Sequence, residues 1–223
     1  MTAEQSEENI VKIDAHGAEL EGNLLIPEEA EGIVLFAHGS GSSRHSPRNK
    51  KVARDLRDRG LATLLFDLLT AEEDKVDRVT REHRFDIPKL ADRLSGATDW
   101  LEQQPEAEAL HFGYFGSSTG SAAALIAAAK GPERIDAVVS RGGRVDMAEK
   151  ALPEVQAPTL MIVGGRDPQV RKLNEQAQSQ LECECRLEIV EGATHLFEEP
   201  GALDEVARVA GDWFVEHLTE NES

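Results

Sequence analysis

Positive charge is what this chain has least of. In 223 residues, 24 Lys and Arg stand against 42 Asp and Glu, a formal charge of −18 with histidine neutral. Phosphate recognition needs a clustered positive field, so the shortfall argues against a nucleic-acid binder. Long apolar runs are missing as well. No stretch reaches the roughly 18 apolar residues that cross a bilayer, and no membrane association is expected. Met1 to Asn9 is acidic and polar, without the basic-then-apolar layout of an export signal. Cysteine is scarce: Cys183 and Cys185 are too close in an extended segment to bridge comfortably, and no other cysteine completes a zinc site. Reduced thiols in a cytoplasmic setting are the expectation. Nucleotide fingerprints are missing too. Gly39-Ser40-Gly41 lacks the third glycine of a dinucleotide loop, and no phosphate-loop Gly-Lys-Ser/Thr occurs. No nucleotide cofactor and no metal are therefore expected.

What is present describes a soluble α/β protein: 40% apolar residues, 30% charged. Ile10 to Asp14 and Glu19 to Ile26 read as two strands joined at His16-Gly17 and stopped by Pro27. Short, nearly continuous apolar runs follow at Ile33 to Ala37, Leu61 to Phe66, Leu110 to Phe115, Ala137 to Val139, Leu160 to Val163 and Leu187 to Val190. Such runs suit strands covered on both faces. Helical patterns lie between them: Val52, Ala53 and Leu56 up to Gly60; Leu90, Leu94, Ala97 and Leu101; the Ala-rich Ser121 to Lys130; the polar Val170 to Gln180; and a stripe from Leu203 to Leu218. Strand and helix alternate six times, which predicts a mostly parallel sheet with right-handed crossovers and an antiparallel hairpin at its start. Residues 1–223 read as one domain.

Chemistry enters after the strand at Leu110. Gly116-Ser117-Ser118-Thr119-Gly120 fits G-x-S-x-G with Ser118 at its centre. A serine pushed out at a sharp strand-to-helix turn needs small residues two places before and after it, where strand and helix nearly touch. The bland alternative makes Ser118 an ordinary helix N-cap. In this pattern the acid and then the histidine follow the serine in the chain. His195 follows the Leu187 to Val190 strand in a glycine-containing loop, where catalytic groups gather in open sheets. His217, near the end of the last helix, reads as a packing or helix-end residue. Asp167 follows the Leu160 to Val163 strand, with Glu191 and Glu198 in reserve. As an aspartate before proline it is also a strong N-cap candidate. The N–H of Thr119 and that of Ser40, with Gly41 as the alternative, are the candidate oxyanion donors. His38, which precedes Ser118, is expected to order its loop.

With these residues in place, the chain resembles the α/β-hydrolase superfamily and, within it, the dienelactone-hydrolase-like proteins. The likeness runs through the opening hairpin, His38-Gly39-Ser40-Gly41, Gly116-Ser117-Ser118-Thr119-Gly120, Gly164-Gly165-Arg166-Asp167 and Ala193-Thr194-His195. It implies a three-layer α/β-hydrolase fold with Ser118 as nucleophile, Asp167 as acid and His195 as base. Dienelactone hydrolases proper carry cysteine where this chain has Ser118. The expected activity is hydrolysis of a small-molecule carboxylic ester, lactone or thioester through an acyl-enzyme. The alternative is a catalytically silent fold that binds a ligand or partner. Ser140 to Pro158 is too short for a large cap domain. Leu69 to Phe85 and Arg141 to Arg144 are the segments able to overhang the site. Arg44 and Arg141 are the candidates for binding a substrate carboxylate, with Arg144 beside them; Arg141 and Arg144 are equally placed to pair with acids such as Asp146 or Glu149.

Overall fold

The computed structural model describes residues 9–219. The acidic N-terminal stretch, residues 1–8, lies outside the described residues, as do residues 220–223.

Two strands, β1 (Asn9–Ala15) and β2 (Ala18–Leu25), form the antiparallel hairpin read from the sequence, in register from Asn9 opposite Leu24 to Ala15 opposite Ala18. β3 (Gly32–Ala37) is buried at all six positions. β4 (Ala62–Phe66), β5 (His111–Ser117), β6 (Ala137–Arg141), β7 (Thr159–Gly164) and β8 (Cys185–Val190) complete one eight-stranded sheet in the order β1-β2-β4-β3-β5-β6-β7-β8. β2 meets β4 antiparallel, and β3 to β8 run parallel.

The pleat divides the core into two apolar layers. Ile33, Leu35 and Ala37 of β3 face one layer; Val34 and Phe36 face the other. On the first side pack α3 (Ile87–Glu102), through Leu90, Leu94, Ala97 and Leu101, and α4 (Thr119–Lys130), whose alanines let it lie close to the strands. On the second pack α1 (Pro47–Arg57), through Val52, Ala53 and Leu56, and α6 (Ala202–Leu218), through Val206, Ala207, Ala210, Phe214 and Leu218. Each large side chain buried in that stripe contributes about 1.5–3 kcal/mol. α5 (Pro168–Gln178) follows β7 in the chain and buries only Val170, Asn174 and Ala177, as the polar pattern of a surface helix implied. His217 does both things expected of it: its ring centre lies 4.3 Å from that of Trp213, and its Nδ1 lies 2.8 Å from the Trp213 carbonyl in the last turn of α6.

Two elements differ from the sequence reading. Within Leu69 to Phe85 the chain forms α2 (Ala71–Thr80), and Val145–Glu154 is a run of 3-10 turns. α2 has no apolar stripe. A capping box starts it: Thr70 accepts from the Glu73 N–H, and the Glu73 carboxylate accepts from the Thr70 N–H. Ion pairs then tie it to its neighbours, Glu73 to Lys89 at 2.8 Å and buried Asp77 to Arg84 at 2.6 Å. Among the described residues no helix is long and apolar enough to cross a membrane. Cys183 and Cys185 are half-buried free thiols, and burial pushes Cys185 up to about 12.

Candidate active site

Ser118 sits where β5 turns into α4, with φ 50° and ψ −118°. A non-glycine residue in that region is strained, and the surroundings hold it there. The Ser118 N–H donates to the Arg141 carbonyl at 3.1 Å, and its carbonyl accepts from Ser121 at 3.1 Å and Arg144 at 3.0 Å. The turn is also sterically enforced. A Cβ on Gly120 would run into the carbonyl oxygens of Ala37 and His38, so α4 approaches β3 only because Gly120 has none. Ser118 makes no side-chain cap bond to its helix, which removes the N-cap alternative as the reason for a serine here.

Asp167 and His195 stand on the exits of β7 and β8. Asp167 Oδ2 lies 2.7 Å from His195 Nδ1, and its other oxygen, Oδ1, accepts from the Val170 N–H at 3.4 Å. The two roles considered for this aspartate, partner to the histidine and cap of α5, are therefore filled together by different oxygens. Glu198 instead pairs with Arg48 at 3.3 Å. The His195 ring lies beside the residue that follows Arg141: a Cβ at Gly142 would be 3.3 Å from His195 Cε1. Because Arg141 also holds the Ser118 N–H, the imidazole and the strained serine share one strand end. The Ser118 hydroxyl makes no hydrogen bond to His195 among the described residues. Such bonds commonly tighten only when substrate arrives.

The loop after β3 brings the second set of groups. The Ser40 N–H donates to Thr119 Oγ1 at 2.8 Å, so the two expected oxyanion residues are bonded to each other rather than standing apart. Behind them, His38 is buried and its tautomer follows from its partners. The Leu68 N–H donates to Nε2 at 3.1 Å, which leaves Nδ1 carrying the proton and donating to the Gly39 carbonyl at 3.0 Å. Burial pulls His38 below the ordinary histidine range and so keeps it neutral. The Gly39 carbonyl and the Ser40 N–H belong to one peptide plane, so anchoring the oxygen fixes the direction of the N–H. Gly41, at φ 71°, turns the chain beneath Arg84, whose Nη1 lies 3.2 Å from where a Cβ would stand. Sequence reasoning placed His38 as a loop-ordering residue; its partner Leu68, thirty positions away, has no sequence signal.

The arginines separate into three cases. Arg44, a candidate for substrate binding, is engaged by three side chains of the fold. Its guanidinium donates to Asn23 Oδ1 at 3.1 Å, pairs with Asp67, and meets Glu21 at 2.7 Å, joining the hairpin to the β4 exit. Arg144 is bidentate on Asp146 at 2.8 and 2.9 Å, the structural option. Arg141 is buried and pairs with no acid among the described residues. A cleft of about 1140 Å³ opens beside the Ser40 loop, bordered by Ser40, Gly41, Arg44, Asp67, Arg84 and Arg93. It belongs to the same rim of the sheet as Ser118 and lies on the α2/α3 side. Among the described residues no three His, Cys, Asp or Glu side chains gather as a metal site.

Several known proteins resemble this chain over most of its length. The family model described as "Dienelactone hydrolase family" matches residues 20–216. A solved dienelactone hydrolase from Anabaena variabilis is 58% identical, with a TM-score of 0.95 over 96% of this chain and 100% of that one. Est1E from Butyrivibrio proteoclasticus shares the fold at 17% identity, with a TM-score of 0.78 over 93% of this chain and 98% of that one. A Mycobacterium tuberculosis protein provisionally named a phosphoribosyl transferase is 54% identical over 208 residues, 93% of this chain but 46% of that protein. The chain thus spans about half the length of the curated relatives it matches. It belongs to the dienelactone hydrolase family and has the α/β-hydrolase fold.

Proposed function

We propose that this member of the dienelactone hydrolase family is a serine hydrolase of carboxylic esters, lactones and thioesters included, acting through an acyl-enzyme. The observation that carries the reading is Ser118, held at φ 50° on the strand end against which the Asp167-bonded imidazole of His195 also lies.

In the proposed reaction His195 Nε2 takes the Ser118 hydroxyl proton as the oxygen attacks the substrate carbonyl. Asp167 keeps the proton on Nδ1 and stabilises the imidazolium. Thr119 is the first residue of α4, so its N–H has no acceptor within the helix and is free for the oxyanion. The Ser40 N–H joins it once the Thr119 hydroxyl yields. His195 then returns its proton to the leaving alcohol, and water releases the acyl group along the same route. No cofactor or metal enters. The chain acts as one domain whose site is bordered by short segments, α2 and the 3-10 run, rather than a cap. Its substrate is a small molecule, and its two unpaired cysteines suit a reducing, cytoplasmic setting.

The provisional transferase name belongs to a protein about twice as long, of which this chain matches 46%. A panel of short- and long-chain esters, thioesters and lactones, read with and without Ser118→Ala, tests the proposal. Turnover that depends on Ser118 is expected. Turnover that survives Ser118→Ala rejects it.

A further inference from the structure

Arg141 is 8% exposed, and its Nη1 has no hydrogen-bond partner among the described residues. The side chain leaves the end of β6 on the α1/α6 face, with its guanidinium carbon 6.0 Å from the centre of the Phe115 ring. The charge it senses is not an acid but a second cation, Arg48. Burial and that neighbour together pull Arg141 down to about 10. Arg48 is itself misplaced for a cation: it occupies the first turn of α1, where the helix dipole disfavours positive charge, and no acidic residue shares that turn. Its Nε is also buried and unpartnered. Glu198 answers Arg48 alone, at 3.3 Å. The two segments meet in the fold: Ser117, opposite Arg141 in the sheet, donates its hydroxyl to Asn49, the neighbour of Arg48. Each arginine thus brings a buried, unpartnered nitrogen to this place, an arrangement that an enclosed anion relieves.

We propose that Arg48 and Arg141 form an anion site, separate from the large cleft, that takes a small oxyanion of the carboxylate or phosphate class. Planar guanidiniums suit both, because each offers paired donors to two oxygens. Arg48, whose side chain is 32% exposed, is the side open to solvent. The site is wired to the reaction centre through the backbone: the Arg141 carbonyl holds the Ser118 N–H, and the next residue, Gly142, lies against the His195 ring. An occupant therefore braces the strained serine and its base without touching either. Binding itself does not depend on the hydrolase reading.

The test uses inorganic phosphate with the full chain at constant ionic strength, chloride replacing phosphate in the control. Melting temperature is expected to rise with phosphate, by about 2–4 °C or more at saturation for a domain of this size. Arg141→Met and Arg48→Met should each abolish the rise. In phosphate-free buffer Arg141→Met should melt no lower than the parent protein, since it removes a buried charge that has no partner. If Arg141→Met does not fold, Arg48→Met, at the exposed half, carries the same measurement. A rise no larger than that in chloride, or one retained by both variants, overturns the site. The source of the oxyanion is then read from steady-state kinetics. Phosphate that raises KM only for carboxylate-bearing esters marks the site as receiving the substrate's own anionic arm. Phosphate that changes kcat for neutral esters marks a free anion as its occupant. Loss of turnover in Ser118→Ala with the melting shift intact keeps the two proposals apart.

Discussion

The two halves of the candidate site are held by different kinds of bond. The Asp167–His195 half is a contact between two side chains, 38% exposed at the histidine and 15% at the aspartate, reaching across the ends of β7 and β8. The His38–Gly41 half is a contact between a buried ring and main-chain groups: among the described residues the His38 ring hydrogen-bonds the Leu68 N–H and the Gly39 carbonyl. The first half carries its chemistry in replaceable side chains. The second carries it in a peptide plane, which substitution reaches only through the neighbour that orients it. Single changes should therefore remove activity outright in one half and only degrade it in the other.

The largest effect is expected from His195→Ala, a fall in kcat of about 10⁴–10⁶-fold by comparison with serine hydrolases that lose their base. Its melting temperature should barely move, because the ring is half-exposed. Asp167 allows a finer cut. Asp167→Asn should lower kcat by about 10⁴-fold while keeping the α5 cap, since Asn caps as well as Asp. Asp167→Ala should show the same loss of rate and in addition about 1 kcal/mol less stability in denaturant unfolding. Equal stability in the two variants would show that the Val170 bond contributes nothing.

The other half should respond more softly. His38→Asn keeps a donor near Nδ1 and discards the Nε2 acceptor, so the Gly39–Ser40 peptide loosens without a cavity of full size. We expect kcat to fall about 10–100-fold with KM little changed, less than the loss of an oxyanion donor outright. A loss as large as that of His195→Ala would erase the distinction between the halves. The smallest effect is on acid stability. His38 is held below the ordinary histidine range, so the unfolded chain binds a proton that the native one refuses. Its contribution is present above about pH 6.5 and is lost as pH falls from there toward its native value. Asp67 and Asp74, which face it, work against that depression. His16, raised by its bond to Asp99, acts in the opposite sense, so the parent and His38→Asn must be compared. The variant should lose less stability between pH 6.5 and 5, as melting scans would show.

The same contrast explains what the sequence disclosed. All eight strands announced themselves, the opening hairpin by alternation closed at His16-Gly17 and the parallel strands by apolar runs such as Ile33 to Ala37. The order Ser118, Asp167, His195 was legible because each sits at a strand exit marked by glycine. α2 was not, since a helix held by Glu73–Lys89 and Asp77–Arg84 pairs leaves Val76 and Val79 exposed and presents no stripe. Only Thr70-Ala71-Glu72-Glu73, a capping-box pattern, marked its start. The partners of Arg44 were silent for the same reason: Glu21, Asn23 and Asp67 stand 21 to 23 positions away, and pairing at that range has no local signature. The Thr119 hydroxyl on Ser40, across 79 positions, was equally silent.

Everything rests on Ser118 being the activated nucleophile, and a fluorophosphonate probe asks that directly. The serine oxygen attacks phosphorus, fluoride leaves, and the adduct is read by intact mass and peptide mapping. One equivalent on Ser118, formed in the parent protein and lost in both Ser118→Ala and His195→Ala, is the predicted result. An unlabelled Ser118 in a protein that still turns over esters would contradict the account.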